Sequence, residues 1–191
     1  MLVAGLRARR APLDQAAVAA FVAANPESTR QAAWLGQRPP PASFATTPYW
    51  GVNAFRFQGQ DGQVRHVRWV FEPAAGEQRL SEADAARLGA DFLAGELRTR
   101  VAQAPVAFDM VLQFAAPGDD VTDPTVAWPA ERERATVGRL TVTAVEAGPG
   151  GACDPISFLQ LDQEPGVAFS DDPVLHGRVA PYAVSLSRRS R

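Results

Sequence analysis

Two runs rich in β-branched and aromatic residues lie on either side of a turn that determines how they pair. The runs are YWGVNAFRF at 49–57 and VRHVRWVFEP at 64–73, and the segment QGQDGQ joins them. The Asp61-Gly62 pair favours a tight hairpin turn, because glycine adopts the positive φ that such turns require. The sequence therefore predicts two antiparallel strands.

Two further strands are predicted downstream. Residues 106–115, VAFDMVLQFA, place apolar residues at alternate positions against Asp109 and Gln113. Residues 137–145, VGRLTVTAV, form a second β-branched run of strand length. An irregular stretch rich in Asp and Pro separates the two runs and is predicted to be a loop.

Helices are predicted before and between these strands. Residues 13–36 are Ala-rich, and Asn25-Pro26 should divide them into a helical pair. Residues 80–104 are predicted to form one surface helix that begins at a Ser81/Asp84 cap. With a final helix near the C-terminus, the order of elements predicts an α+β fold around an antiparallel sheet.

Four strands that each carry one apolar face need a second surface to bury it. The predicted terminal helix alone is too small to cover such a sheet. We therefore predict that the sheet is part of an antiparallel β-barrel. Either a second copy of the chain or sequence outside it would complete the barrel.

Charge and cysteine content exclude several classes of function. Nineteen basic residues against twenty-one acidic ones give a net charge of −2, so no strong field recruits nucleic acid or an anionic membrane. The single Cys153 cannot form an internal disulfide, and no Cys/His cluster suits zinc. No apolar run reaches membrane-spanning length. We predict a cytoplasmic protein, or a periplasmic one if a signal sequence lies upstream.

The segment SDDPVLHGRVAPYAVSLSRR, residues 170–189, is predicted to form the terminal helix. Asp172 and Pro173 provide an N-cap and a first helical residue, and Pro181 should bend the helix locally. Arg178 and Tyr182 lie one turn apart, so the guanidinium can reach the phenol oxygen. A cation and a ferric ion would both favour the phenolate, which makes Tyr182 a candidate axial ligand of haem iron.

Several segments together resemble the second half of a haem catalase, and most of all the catalase-related peroxidase branch. They occur in the family's order: PPPASFATTPYWGVNAFRF, VRHVRWVFEP, VTDPTVAWPAER, VGRLTVTAV and SDDPVLHGRVAPYAVSLSRR. The resemblance implies an eight-stranded antiparallel barrel with haem inside, to which this chain contributes the last four strands. It also implies that residues 1–191 form one partial catalase-like core domain that lacks the N-terminal half of the barrel.

The resemblance assigns roles to five residues. Tyr182 is the expected iron ligand, which agrees with tyrosine ligation in catalase, and Arg178 is its charge partner. Arg189 matches the arginine that binds a haem propionate. Asp172 and Asn53 match positions of the network on the same side of the haem.

The resemblance assigns no catalytic residue within this chain. The family's distal histidine and asparagine belong to the N-terminal half of the barrel, so we expect them upstream of Met1. Neither histidine of the chain replaces the distal one. His66 lies within a predicted strand, where we expect it to be exposed or hydrogen-bonded. His176 lies two residues before Arg178, away from the face shared with Tyr182, and a proximal-side or solvated role is expected.

The function implied is that of a haem-dependent peroxidase or catalase that acts on hydrogen peroxide or organic peroxides. Its expected partners are the peroxide and a small organic reductant, neither nucleic acid nor a membrane is expected, and assembly into a homo-oligomer is left open. The alternative is a truncated, inactive haem-binding fragment or a barrel-like carrier of apolar ligands.

Overall fold

The computed structural model describes residues 14–146, 151–152, 155–156 and 164–189. The chain divides into two compact units, one ending at Pro39 and the other beginning at Pro40. In the first unit, helix α1 is Gln15–Ala24, a 3₁₀ turn is Pro26–Ser28 and helix α2 is Thr29–Gly36. The predicted division of this helical pair at Asn25-Pro26 is confirmed.

Two sequence predictions concern residues outside these ranges. The described residues begin at position 14, so they do not test the expectation that the distal histidine and asparagine lie upstream of Met1. That expectation stays a prediction. Cys153 also lies outside the described residues. The assignment of residues 1–191 to one partial catalase-like core domain likewise stays a prediction.

The second unit is built on a mixed set of helices and one antiparallel sheet. Its strands are β1 Tyr49–Trp50, β2 Phe55–Gln58, β3 Val64–Pro73, β4 Val106–Phe114, β5 Arg134–Val142 and β6 Val167–Phe169. Its helices are α3 Glu82–Ala85, α4 Phe92–Gln103, α5 Pro173–Gly177 and α6 Val179–Arg189, with a 3₁₀ turn at Phe44–Thr46. The α+β prediction is confirmed. No helix among the described residues has both the length and the apolar character needed to cross a membrane.

The described residues do not form a closed barrel, so the predicted barrel is not supported by this part of the chain. The strand order is β5-β4-β3-β2-β6, with β1 paired to one end of β3. Strand β5 pairs with β4 and β6 pairs with β2, so the two outer strands of the sheet do not meet. Closing a barrel requires enough strands to curve around a filled interior, typically about eight. Six strands lie among the residues that the structure describes, and two of them have only two and three residues.

The predicted hairpin is confirmed, but its first strand is interrupted. Gly62 has a φ of 76° in the turn between β2 and β3. Trp50 pairs with Val70 and Phe55 pairs with Val67. Between these two pairs the chain advances five residues from β1 to β2 but only three residues along β3. The two extra residues make the segment 51–54 bulge out of the sheet.

One face of the sheet carries the core, in two clusters of buried residues. The first cluster contains Ala45, Val101, Val106 and Phe108. The second contains Phe55, Val67, Leu112 and Leu175. A cavity of about 240 Å³ adjoins the first cluster and is lined by Phe44, Tyr49, Phe71, Leu97, Phe108, Leu140 and Val142. Because side chains alternate along a strand, the other face carries the polar residues Glu72, Asp109 and Gln113, together with the buried Val70 and Val111.

The single helix predicted for residues 80–104 is two helices, α3 and α4. Ser81 caps α3 as expected, since its hydroxyl accepts a hydrogen bond from Asp84 N. The chain then leaves the helix between residues 86 and 91. Gly89 disfavours the helix, because glycine has a low helix propensity. Leu88 beside it is 44% exposed, so burial of its side chain does not offset that cost.

Candidate functional site

The C-terminal segment begins with a buried aspartate. Asp172 is 1% exposed, and its Oδ1 accepts hydrogen bonds from Val174 N at 2.8 Å and Leu175 N at 3.3 Å. Pro173 occupies the first helical position, where its missing N–H is not needed. The predicted start of this helix is confirmed, and the buried side chain of Leu175 anchors it on the second core cluster.

The terminal helix is broken rather than bent. Helix α5 ends at Gly177, Arg178 lies in a turn and α6 begins at Val179. In a continuous helix, the Pro181 ring would clash with the carbonyl of Gly177, four residues earlier. The break makes Pro181 the third residue of α6, within the first turn whose N–H groups have no partner in the helix.

Four side chains form one line of hydrogen bonds. The Asn53 amide Nδ2 donates to Asp172 Oδ2 at 2.7 Å. Arg178 Nη1 donates to Asn53 Oδ1 at 2.9 Å, and Arg178 Nη2 donates to the Tyr182 hydroxyl oxygen. The amide orientation of Asn53 follows from its partners, because a carboxylate only accepts and a guanidinium only donates. The phenol of Tyr182 is thus connected to the N-terminus of α5.

Asn53 reaches this line because the first hairpin strand is interrupted. It lies in the bulged segment between β1 and β2, and it is 6% exposed. Gly51, two residues earlier, lies so close to the Trp69 indole that a Cβ there would collide with it. The sequence motif alone predicted a continuous strand, so only the family resemblance pointed to Asn53.

The chain has two tyrosines, and their environments are opposite. The Tyr49 hydroxyl donates to the carbonyl of Phe44 at 2.7 Å and therefore needs its proton. Burial raises the pKa of Tyr49. The Tyr182 oxygen instead accepts a hydrogen bond from a cation. The hydrogen bond from Arg178 uses one lone pair of this phenol oxygen and leaves a second lone pair as an acceptor.

Arg189 and the two histidines have other partners. Arg189 lies seven residues after Tyr182 on α6, and its Nη2 donates to the carbonyl of Ile156 at 3.2 Å. His176 Nε2 lies 3.0 Å from the carbonyl oxygen of Ser170, and its ring meets Phe169 edge-on. His66 is partly buried in β3 opposite Arg56. The line of four side chains therefore includes Asn53, Asp172, Arg178 and Tyr182.

Comparison with known proteins places the chain in a family. The family model described as Catalase matches residues 7–190. This chain belongs to the catalase family. The catalase-related peroxidase of Synechococcus elongatus is 42% identical over 178 residues, which are 93% of this chain and 52% of that protein. The catalase-related peroxidase of Mycolicibacterium paratuberculosis is 39% identical over 78% of this chain and 48% of its own length. The chain thus spans about half the length of these catalase relatives.

Solved structures agree on the fold. A bacterial catalase aligns with a TM-score of 0.73 and 21% identity, over 88% of this chain and 35% of the other. Catalase A from Saccharomyces cerevisiae aligns with a TM-score of 0.66 and 18% identity, over 78% of this chain and 33% of the other. The arrangement of helices and antiparallel sheet in the second unit is therefore a catalase-like fold.

Proposed function

We propose that this chain is part of a haem enzyme that acts on hydrogen peroxide or organic peroxides, with Tyr182 as the axial ligand of the iron. The contrast between the two tyrosines carries the proposal. Tyr182 is the one whose oxygen accepts a hydrogen bond from a guanidinium, which favours the phenolate form that a ferric ion binds. Membership of the catalase family supports the reaction class.

The donor set around Tyr182 fits haem iron. Iron would take the acceptor position of the phenolate that Arg178 leaves open, and Arg189 on the same helix would pair with a propionate. Asn53 and Asp172 hold Arg178 in place. Bound haem would supply the redox chemistry with peroxide, and a small organic molecule would act as reductant. The described residues thus serve the side of the iron that Tyr182 occupies.

Haem titration of paired tyrosine variants tests the proposal. We expect the wild-type chain to bind ferric haem with a tyrosinate-ligated absorption spectrum, and Tyr182→Phe to abolish that spectrum. Tyr49→Phe is the matched control, because it removes the other phenol and should leave the spectrum unchanged. Equal spectra in wild type and Tyr182→Phe would refute the assignment.

The same titration examines the alternative of an apolar-ligand carrier. The cavity beside the first core cluster is lined almost entirely by carbon, which suits a small apolar molecule. Haem or another apolar ligand that bound there would be sensitive to Tyr49→Phe and insensitive to Tyr182→Phe. The two variants therefore separate the two candidate functions.

A further inference from the structure

Trp69 lies beneath the bulged segment that carries Asn53. It is a residue of β3, and its partly buried indole packs against the second core cluster. Residues 51–54 take no part in the strand pairing, and a hydrogen bond of 2.9 Å from Gly51 N to the Trp69 carbonyl oxygen joins the start of this segment to β3. The bulge and Trp69 are therefore direct neighbours.

Both ends of the bulge contact the indole. At its start, a Cβ on Gly51 would lie 2.6 Å from Trp69 Cδ1, closer than the 3.0 Å that real Cβ atoms essentially always keep. At its end, the Phe55 ring stacks on the indole with 4.4 Å between the ring centroids. Asn53 lies midway between these two contacts along the chain.

The position of Asn53 has little tolerance. Its amide donates to Asp172 at 2.7 Å and accepts from Arg178 at 2.9 Å, so it binds two partners at once. Because a side-chain hydrogen bond no longer exists at about 3.6 Å, a displacement of about 1 Å would break one of the two. Strand pairing does not fix the segment 51–54, so the segment depends on the contacts at its ends.

The close fit at Gly51 distinguishes this contact from ordinary core packing. A tryptophan that only filled the core would place no limit on the residue packed over it. Here the backbone of the bulge lies directly on the indole, and the missing side chain of Gly51 is what allows that approach. The ring therefore sets the distance between the bulge and β3.

We propose that Trp69 is a positioning residue: its indole is the surface on which the bulge rests, and it holds Asn53 where the amide binds both Asp172 and Arg178. The further effect on Tyr182 as an iron ligand rests on the proposed function. The fit between the indole and the bulge does not depend on haem.

Hydrogen exchange of the Asn53 side-chain amide, measured by NMR on the haem-free chain, tests the proposal. Trp69→Leu removes the ring and keeps an apolar side chain, so the Nδ2 hydrogens should exchange about tenfold faster as their bond to a carboxylate is weakened. Trp69→Phe keeps a flat ring and should preserve most of the protection. Val106→Ala, in the first core cluster, controls for a general loss of stability and should leave Asn53 unchanged. Equal acceleration in Val106→Ala and Trp69→Leu would overturn the proposal.

A glycine substitution tests the same contact from the side of the bulge and leaves the core residues unchanged. Gly51→Ala should also accelerate exchange at Asn53 about tenfold, because the added methyl group and the indole cannot occupy the same space. Gly138→Ala in β5 is the matched control, since a Cβ there has no atom within 4 Å. Unchanged exchange in Gly51→Ala would overturn the proposal, and this variant decides alone if Trp69→Leu does not fold.

The double variant Gly51→Ala/Trp69→Leu tests whether the two residues act through one contact. Gly51→Ala should lower the unfolding temperature of the wild-type chain but change it little in the Trp69→Leu background, where the smaller and flexible side chain leaves room for the methyl group. Additive losses in the double variant would show that the two residues act independently, which would overturn the proposal.

Haem retention tests the last link. With the chain loaded, Trp69→Leu should release haem about tenfold faster, and Trp69→Phe should release it at nearly the wild-type rate. If wild type and Tyr182→Phe bind haem alike, the proposed function fails while the exchange result still decides the role of Trp69 toward Asn53. Unchanged release in Trp69→Leu, with a normal response to Tyr182→Phe, would overturn the final link alone.

Discussion

Carboxylates and arginines are arranged differently in the buried line around Asp172 and in the ion pairs on the polar face of the sheet. On the polar face, Arg134 pairs directly with Glu72 at 2.6 Å and Arg139 pairs with Asp109 at 2.7 Å. In the interior, a neutral amide separates the carboxylate of Asp172 from Arg178. Water screens the surface pairs, whereas the buried carboxylate depends on fixed donors. Substitutions should therefore have large effects in the interior and small ones on the surface.

The largest expected loss is at Asp172. Asp172→Ala removes the acceptor of two helix-end N–H groups and of the Asn53 amide, which should lower the free energy of unfolding by about 3 kcal/mol. Denaturant titration measures the loss. Asp171→Ala, at the exposed neighbouring position, is the control and should change little. Equal losses in the two variants would contradict the buried role of Asp172.

A smaller loss of stability is expected when the Asn53 amide, which lies between Asp172 and Arg178, is replaced by a carboxylate. Asn53→Asp removes the donor to Asp172 and sets two carboxylates together, which should lower the free energy of unfolding by about 2 kcal/mol. Asn25→Asp is the matched control, because Asn25 is the other asparagine and its side chain donates to a helix carbonyl. A stable Asn53→Asp variant, measured by the same denaturant titration, would show that the bridge does not need a neutral amide.

The ion pair between Asp119 and Arg132 lies in the loop between β4 and β5. Its contribution to stability should lie between those of the buried line and of the surface pairs, and it should depend on pH. Hydrogen bonds from Arg132, and then from the Ala116 N–H, lower the pKa of Asp119. The pair therefore stabilises the fold above the ordinary carboxyl pKa of about 3.9, and this stability is lost as the pH falls through the lowered pKa. Asp119→Asn should lower the unfolding temperature at neutral pH, and the gap to wild type should close in acid. A gap independent of pH would contradict this account.

The smallest effect is expected on the polar face. Asp109→Asn removes the pair with Arg139, whose side chain is 59% exposed, and should lower the free energy of unfolding by less than about 1 kcal/mol. Added salt should shrink this difference further because it screens exposed charges. A salt-independent loss as large as that of Asp172→Ala would remove the contrast between interior and surface.

Local sequence signals predicted the elements that depend on local chemistry. The Asp61-Gly62 turn, the break at Asn25-Pro26 and the Asp172 cap all follow from residues that are neighbours in the chain. The contact between Arg178 and Tyr182 follows in the same way from helical spacing.

The features that sequence reasoning missed depend on distant contacts. The bulge that carries Asn53 requires the paired register of β3, and Asn53 meets Asp172 across 119 positions of the chain. Strand β6 has three residues, too few for a periodic signal, and it forms because β2 offers a free edge. The barrel was inferred from a need to cover apolar surface, which does not specify what covers it.

The break between α5 and α6 also gives Tyr182 a place near the start of a helix. It is the fourth residue of α6, and helical side chains lean back toward the N-terminus. The aligned peptide dipoles of a helix leave a partial positive charge of about half a unit at that end. A continuous helix from Pro173 would have placed this residue in mid-helix, beyond the reach of that field. The proline that interrupts the helix thus places Tyr182 in the first turns of a helix, near the end that carries this partial positive charge.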